Sequence, residues 1–197
     1  MDYTTIRHNF EYHGFSTQLF ATGEEARDYL VNTLQWQTIG FGGSVTLREI
    51  GLFDALSAKN IVVWHNKVFS EEVRRLANAT SIYITSANAI AETGQIVNID
   101  RTGNRVAMTA FGPKACYYVV GKNKITPTLA EALDRAKNVA GPQNAKRVRA
   151  KTPCARDGDR CYNCNTPERV CRMTMIMDRP PYGMQSEIIF IDQDLGL

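Results

Sequence analysis

The stretch Thr38-Ile39-Gly40-Phe41-Gly42-Gly43-Ser44 decides the fold, because a short apolar strand breaks there into a glycine turn and a helix. The same order of strand and helix returns at residues 61–64 and 70–78, and further strands are predicted at 81–85 and 116–120. Apolar, β-branched runs of this kind are typical of parallel strands covered by helices on both faces. The sequence therefore predicts a layered α/β domain with a mostly parallel sheet.

Turn and capping residues predict where other elements begin and end. Thr22-Gly23-Glu24-Glu25 has the pattern of a capping box and opens a helix that runs to about residue 34. Asp100-Arg101-Thr102-Gly103-Asn104 lies between two apolar runs and predicts a hairpin, hence some antiparallel pairing. Thr126-Pro127 is expected to start a helix that Gly141-Pro142 stops.

Length and composition describe an average globular protein. A chain of 197 residues with 44% hydrophobic and 22% charged residues suits one domain, residues 1–197, and excludes intrinsic disorder. Its longest apolar runs, such as residues 188–191, are too short to cross a bilayer, and the first residues lack the pattern of a secretory signal. We therefore expect a cytoplasmic protein without a membrane partner, in which cysteines stay as thiols.

Charge and cysteine are both concentrated in one segment. The net charge is only +3, yet residues 135–172 hold ten Lys/Arg and three Asp/Glu. Four of the five cysteines fall in the same part of the chain: Cys154, Cys161, Cys164 and Cys171. Because residues 142–184 are rich in Pro, Arg and Cys and have almost no apolar periodicity, we interpret them as a basic, Cys-rich excursion inserted before the last strand.

The four clustered cysteines are a candidate metal site. Their spacing is C-x6-C-x2-C-x6-C, and four thiolates can surround one zinc ion or hold an iron–sulfur cluster. The surrounding arginines would balance the negative charge of such a centre. The spacing matches neither a zinc ribbon nor a ferredoxin, so the choice between zinc and iron–sulfur stays open, as do two labile disulfides or four unrelated thiols.

The glycine turn is a candidate anion site. Gly40, Gly42 and Gly43 would let a ligand approach the backbone, and the amides that follow Ser44 at a helix start favour a negative charge. The alternative is a tight turn without a ligand. No Walker lysine and no third fingerprint glycine follow, so no nucleotide cofactor is predicted.

Glu92-Thr93-Gly94 is a candidate catalytic turn. Carboxyl ends of parallel strands are where α/β domains bind ligands, and a partly desolvated Glu92 can act as a base or nucleophile. Its alternative role is to cap a turn or pair with Arg105. We expect an anionic metabolite between the glycine turn and Glu92, assisted by Lys122 and Lys124. His65, at the end of the strand over residues 61–64, could reach a cleft, but a lone histidine is more often a structural hydrogen-bonding residue than a catalytic one.

The basic run Lys146-Arg147-Val148-Arg149-Ala150-Lys151 raises nucleic-acid binding as another class of function. Tyr162 is the only aromatic residue between positions 119 and 181, which leaves little surface for base stacking. A solvated face, or counter-charge for the cysteine site, explains the run more simply, and no nucleic-acid partner is predicted.

Several motifs in order resemble the LUD-domain (lactate utilisation) family, and in particular its short single-domain branch with four cysteines. The resemblance spans about residues 5–195. It rests on Gly40-Phe41-Gly42-Gly43-Ser44-Val45-Thr46-Leu47, Glu49-Ile50-Gly51, Ala89-Ile90-Ala91-Glu92-Thr93-Gly94, Gly103-Asn104-Arg105-Val106, Gly121-Lys122-Asn123-Lys124 and Pro167-Glu168-Arg169-Val170-Cys171.

The resemblance implies a three-layer, Rossmann-like fold of the sugar-phosphate isomerase and CoA-transferase superfamily. In CoA transferases a glycine turn and a Glu-x-Gly turn face each other across the active site, and residues 40–43 and 92–94 look similar to these. The family name implies a bacterial role in oxidising L-lactate or another small carboxylate, with iron–sulfur or oxidase subunits as partners and with self-association possible. An electron-transfer or structural zinc module without an active site, and a CoA-transferase-like or isomerase-like enzyme, are the alternatives.

Overall fold

The structure is a computed structural model that describes all residues, 1–197. The strands are β1 (Ser16–Phe20), β2 (Thr38–Phe41), β3 (Ile61–Val63), β4 (Ile82–Thr85), β5 (Ala89–Ala91), β6 (Ile96–Asp100), β7 (Ala115–Gly121), β8 (Ile125–Thr126), β9 (Met173–Met177) and β10 (Gln185–Ile191). The α-helices are α1 (Tyr3–Tyr12), α2 (Gly23–Thr33), α3 (Val45–Glu49), α4 (Leu52–Ser57), α5 (Glu71–Ala77), α6 (Asn104–Ala110), α7 (Leu129–Arg135), α8 (Gly141–Arg147) and α9 (Pro153–Asp157). A 3₁₀ turn covers Lys122–Lys124 and a π-helical segment covers Ala136–Ala140.

Two sheets organise the molecule. The larger has six strands in the order β1-β10-β7-β4-β2-β3, and every neighbouring pair is parallel. This confirms the mostly parallel α/β architecture. The smaller has the order β8-β5-β6-β9 and is mixed, because β6 runs antiparallel to both β5 and β9 while β8 is parallel to β5.

The central strands are buried on both faces, which produces the layers. In β7, Tyr118 and Val120 point into one apolar core and Val119 into the other. The first core is closed by α1 and the smaller sheet, and the second by α2, α3 and α4. Alternation along a strand sends successive side chains to opposite faces, so a continuous apolar run forms two cores at once.

The hairpin predicted around residues 100–104 was wrong. β6 ends at Asp100, and the residues after Gly103 form α6 instead of a returning strand. The Asp100 carboxylate accepts hydrogen bonds from the backbone amides of Arg101, Arg105 and Val106. These bonds satisfy amides at the start of a helix and therefore stabilise α6 over a strand. β6 instead forms a hairpin with the preceding strand β5, through the turn at residues 92–95, and its other antiparallel partner is β9.

The helix stop predicted at Gly141-Pro142 was also wrong. α7 continues through the π-helical segment directly into α8, with Pro142 in the first turn of α8. A proline inside an α-helix would leave a carbonyl unpaired and collide with the preceding turn. Here the Gly141 amide donates to the Ala136 carbonyl, five residues back, and the wider π turn accommodates the proline.

The segment predicted as an excursion, residues 142–184, contributes more to the fold than expected. It contains α8, α9 and β9, and β9 extends the smaller sheet by pairing with β6. A small apolar cluster of Ala145, Cys154 and Val170 holds α8 to the cysteine-containing loops. None of the helices in the chain has both the length and the apolar character needed to span a bilayer.

Candidate functional site

A cavity of about 370 Å³ opens at the carboxyl ends of four adjacent strands of the larger sheet. The segment after each strand contributes at least one polar side chain to the lining, among them Ser44 after β2, His65 after β3, Ser86 after β4 and Lys124 after β7. The smaller sheet and α6 close the opposite wall. Ligands of open α/β sheets bind at this edge, so the topology alone marks this cavity as the candidate site.

Positive charge dominates the cavity lining. Five basic residues line it: Arg74, Arg101, Arg105, Lys124 and Arg147. The only acidic residue in the lining is Asp100, and the carboxylate oxygens of Asp100 already accept backbone amides. Since Arg74 is the only one of the five with an ion-pair partner, Glu71, the lining carries an excess of uncompensated positive charge. This arrangement favours an anionic ligand.

Arg105 uses only part of its guanidinium for hydrogen bonds within the protein. One of its terminal nitrogens donates to the Ile99 carbonyl at 2.6 Å and to Asn88 Oδ1 at 3.1 Å. No carboxylate pairs with it, so its remaining donors are available to a ligand. A guanidinium presents its donors as a rigid planar fork that matches carboxylate and phosphate oxygens, which makes Arg105 the best-positioned anion ligand in the cavity.

Arg135 organises this wall from behind without lining the cavity. Its guanidinium donates to the Asn123 carbonyl at 2.7 Å and to the Asn88 carbonyl at 2.5 Å. Asn88 precedes β5 and Asn123 follows β7, so one side chain joins the two loops that carry cavity residues. Burial lowers the pKa of the Arg135 guanidinium.

Lys124 lies buried at the base of the cavity, with only 3% of its surface exposed. Its Nζ donates to Thr46 Oγ1 at 2.7 Å and to Ser86 Oγ at 2.9 Å, and it has no ion-pair partner. Burial, reinforced by the charges of Arg135 and Arg105, lowers the pKa of Lys124 to about 7. An amine in such surroundings is partly neutral near physiological pH.

His65 is the second buried titratable group in the lining. Burial and the nearby charge of Arg74 lower the pKa of its imidazole, so the ring is mostly neutral at pH 7. Its Nδ1 is buried and has no protein partner, and the same is true of Arg74 Nε. The sequence favoured a structural role for His65 over a position in a cleft, whereas the structure places His65 in the cavity wall with an unpaired nitrogen.

The glycine turn divides into structural and lining residues. Gly43 and Ser44 line the cavity, while Gly40 and Gly42 do not. A methyl group on Gly40 would overlap the Ala77 carbonyl, and one on Gly42 would come within 2.6 Å of Thr85 Oγ1. These two glycines allow β2 to pack closely against its neighbours. Half of the predicted glycine-turn site therefore serves packing rather than binding.

The structure does not bring Glu92 to the glycine turn. Glu92 follows β5, whereas the cavity residue Asn88 precedes it, and β5 separates the two by roughly 13 Å. The turn at Glu92 instead docks on α1: Asn9 Nδ2 donates to the Glu92 carbonyl at 2.7 Å, and His13 Nδ1 lies 3.1 Å from the Gly94 carbonyl. Thr93, the remaining residue of the predicted turn, is exposed and also lies outside the cavity.

Lys122 also lies outside the cavity. Its ammonium forms an exposed ion pair with Asp192 at 3.5 Å. Lys122 and Lys124 stand at the two ends of a single 3₁₀ turn and have different environments, because Lys122 is partly exposed and Lys124 is buried. Of the two lysines predicted to assist an anion, the structure brings only Lys124 to the site.

The four clustered cysteines are free thiols, and the structure does not gather them into a metal site. No group of three or more His, Cys, Asp or Glu side chains anywhere in the chain is arranged to hold a metal ion. Cys154 is buried against Val170, Cys161 lies beside Asn138, and the Cys164 carbonyl accepts a hydrogen bond from Arg169. In this arrangement the thiols do not fit zinc or an iron–sulfur cluster.

The sequence analysis did not assign several cavity residues to the site, although the position of some of them in the chain gave a reason to do so. His65 and Asn88 follow the carboxyl ends of β3 and β4, where ligand-binding residues of parallel sheets collect. Arg105 was not assigned to the site because the predicted hairpin placed it on a strand, and a residue on that strand was not expected to face the glycine turn. Arg74 and Arg147 lie on helices far along the chain, and only the tertiary fold brings them to the cavity.

Comparison with known proteins agrees with the fold. The chain is similar in structure to a DUF162 family protein from Deinococcus radiodurans, with a TM-score of 0.54 and 13% identity over 97% of this chain and 99% of that one. No curated protein matches the sequence. The family model of the LUD domain matches residues 3–191, almost the whole chain. The chain therefore belongs to the LUD-domain family.

Proposed function

We propose that this LUD-domain chain binds a small anionic metabolite in the cavity and acts in the metabolism of lactate or another small carboxylate. The observation that carries the proposal is the charge of the lining, where four arginines and Lys124 face one carboxylate whose oxygens are already occupied. The family name supports the link to lactate.

The size and donor chemistry of the cavity support a small, singly or doubly charged ligand. A volume of about 370 Å³ is at the low end for small-molecule sites and suits a short carboxylate or a sugar phosphate. Arg105 and Arg147 can each donate hydrogen bonds to two oxygens of such an anion, and the backbone of Gly43 and Ser44 can approach it closely.

The CoA-transferase alternative loses its support, because Glu92 does not face the glycine turn.

The test is stabilisation by ligand. We expect L-lactate, pyruvate, phosphate or a sugar phosphate to raise the Tm of the wild type, since a ligand at 100 times its Kd stabilises a protein by about 2.7 kcal/mol. Arg147→Gln and Arg105→Gln should reduce the shift. Arg147 is exposed, so its replacement should leave the fold intact.

Lys122→Gln and Glu92→Gln are matched controls, because both residues lie outside the cavity. Their ligand-induced shifts should equal that of the wild type. The proposal is abandoned if none of these anions raises the Tm of the wild type, or if Arg105→Gln and Arg147→Gln respond as strongly as the controls.

A metal centre at the four cysteines is the second component of the proposed function. Such a centre would exchange electrons with partner subunits. Its support is the cysteine spacing and its position: Val170, next to Cys171, lines the cavity and packs against Cys154. Because the thiols do not form a ligand set in the present arrangement, metal binding requires the loops of residues 154–171 to rearrange.

A further inference from the structure

We propose that the Lys124 amine attacks the carbonyl group of a small anion bound in the cavity and forms an imine with it. The substrate class is then an anion that also carries a ketone or aldehyde, such as an α-keto acid or a carbonyl-containing sugar phosphate. This inference rests on the anion-binding function proposed above and adds a covalent reaction and a reacting atom.

The hydrogen-bond partners of Lys124 are compatible with a neutral amine. Thr46 Oγ1 donates to the Leu195 carbonyl at 3.4 Å, and Ser86 Oγ donates to the Ala87 carbonyl at 3.5 Å. Each hydroxyl thus has a carbonyl acceptor of its own and can accept a hydrogen bond from Nζ. A neutral amine has two N–H groups, and these two acceptors use both of them. The third N–H of an ammonium would have no protein acceptor.

The charged groups around Lys124 also destabilise its protonated, ammonium form. Arg135 and Arg105 both disfavour a positive charge at Nζ, and Glu49 is the only carboxylate that favours one. The Glu49 carboxylate accepts the backbone amide of Gly196 at 2.6 Å and makes no ion pair with the lysine. A buried amine without a counter-ion is more stable when neutral, and burial lowers the pKa of Lys124 to about 7.

The amine and the proposed anion ligand Arg105 line the same cavity. Lys124 and Ser86 line the same cavity as Arg105, and Arg105 lies near enough for its charge to disfavour the ammonium. An α-keto acid whose carboxylate lies on the Arg105 guanidinium carries its carbonyl carbon one bond from that carboxylate. Holding the amine and carbonyl together converts a slow bimolecular addition into a reaction within one complex.

The reaction balances without an outside oxidant. The lone pair of Nζ adds to the carbonyl carbon, and a proton moves from nitrogen to oxygen to give a carbinolamine. Loss of water then forms the carbon–nitrogen double bond, so amine and carbonyl compound give imine and water. Ser86, which contacts Nζ and lines the cavity, is placed to relay the protons.

The test is reductive trapping of the full chain with pyruvate, and separately with a carbonyl-containing sugar phosphate, in the presence of sodium cyanoborohydride. Intact-mass and peptide analysis should show one adduct on Lys124, for pyruvate equal to the mass of the keto acid less one oxygen atom. The yield should rise with pH through about 7, as expected from the pKa of this lysine. L-lactate, which has neither a ketone nor an aldehyde group, should give no adduct.

Lys124→Met should lose the adduct, while Lys122→Met, which alters an exposed lysine two residues earlier, should keep it. Peptide analysis of the wild type and Lys122→Met decides the question even if Lys124→Met does not fold. An adduct spread over surface lysines, or no Lys124 adduct with either carbonyl anion, overturns the imine. If anions still raise the Tm in that case, the proposed binding function survives; if none does, both fail.

Discussion

Burying Lys124 costs stability, and the same burial underlies the chemistry proposed for its amine. A lysine in the core loses the hydration of its ammonium, and that loss is tolerable only if the group is paired or neutral. Thr46 and Ser86 satisfy the amine without supplying charge. The fold therefore keeps an amine that releases its proton far more easily than a lysine in water, which has a pKa of 10.5.

The pH dependence of the free energy of unfolding should reveal the lowered pKa of Lys124. Between about pH 7 and 10 the unfolded chain holds a proton that folded Lys124 has lost, so the free energy of unfolding rises with pH. The slope from this group is at most about 1.4 kcal/mol per pH unit. Urea denaturation at several pH values should show the rise in the wild type and in Lys122→Met, but not in Lys124→Met. A difference between wild type and Lys124→Met that does not change with pH would contradict the lowered pKa.

At the scale of the element, close packing explains why the glycine turn is only partly a binding site. β2 approaches the end of α5 so closely that Gly40 has no room for a side chain against Ala77. Gly43 has that room, since an added methyl group would only reach ordinary contact with His65 at 3.6 Å. Two glycines of one motif thus have different roles, which the sequence alone does not distinguish.

The start of α6 depends on Asp100. Asp100→Ala removes the acceptor of three backbone amides and should cost about 1–2 kcal/mol of stability, the usual cost of losing a helix cap. Urea denaturation should show this loss, compared with Asp178→Ala as the control. Asp178 is exposed and makes no hydrogen bond, so its replacement should change stability by less than about 0.5 kcal/mol. Equal stability of the two variants would show that Asp100 does not hold α6.

Local patterns predicted the elements well where the local signal and the tertiary fold agree. The capping box at Thr22 and Glu25 opens α2 as expected, and β2 covers its predicted residues. The predictions failed where distant contacts decide. Asp100 converts a turn into a helix start, and a π segment carries the helix past Pro142. The smaller sheet went unrecognised because its strands β8 and β9 are far apart in the chain.

The candidate site was predictable only in part for the same reason. Ser44, Gly43 and Lys124 belong to motifs read from the sequence and do line the cavity. Lys122 and Lys124 have opposite environments because the 3₁₀ turn directs them apart, and no sequence period predicts that direction. Glu92 does follow the carboxyl end of a strand, as expected, but that strand is β5 of the smaller sheet, and its carboxyl end does not meet the glycine turn of the larger sheet.

At the scale of the whole molecule, the site belongs to the larger sheet rather than to any one motif. Four neighbouring strands, in the order β7-β4-β2-β3, each deliver at least one cavity side chain beyond their carboxyl ends. The cysteine-rich segment borders this site through Val170. Partner subunits, self-association and the metal centre stay predictions.

The metal centre is tested on the whole chain purified without oxygen. We expect iron with sulfide and visible absorption, or one zinc without colour, and the metal should be lost when Cys154, Cys161, Cys164 and Cys171 are all replaced by Ser. Cys116→Ala should retain it, because Cys116 is buried in β7 within the apolar core. A wild type that holds no more iron or zinc than the quadruple variant would remove the metal from the proposed function.

The pairing of β1 has a consequence for how the chain folds during synthesis. β1 lies at the edge of the larger sheet and its only partner is β10, with Ser16 opposite Glu187. The α1 residue Phe10 likewise packs on Phe190 of β10. β1 must therefore wait for its sheet partner until β10, far later in the chain, has left the ribosome. Such long-range closure slows folding and lengthens the time in which the nascent chain can aggregate or recruit a chaperone.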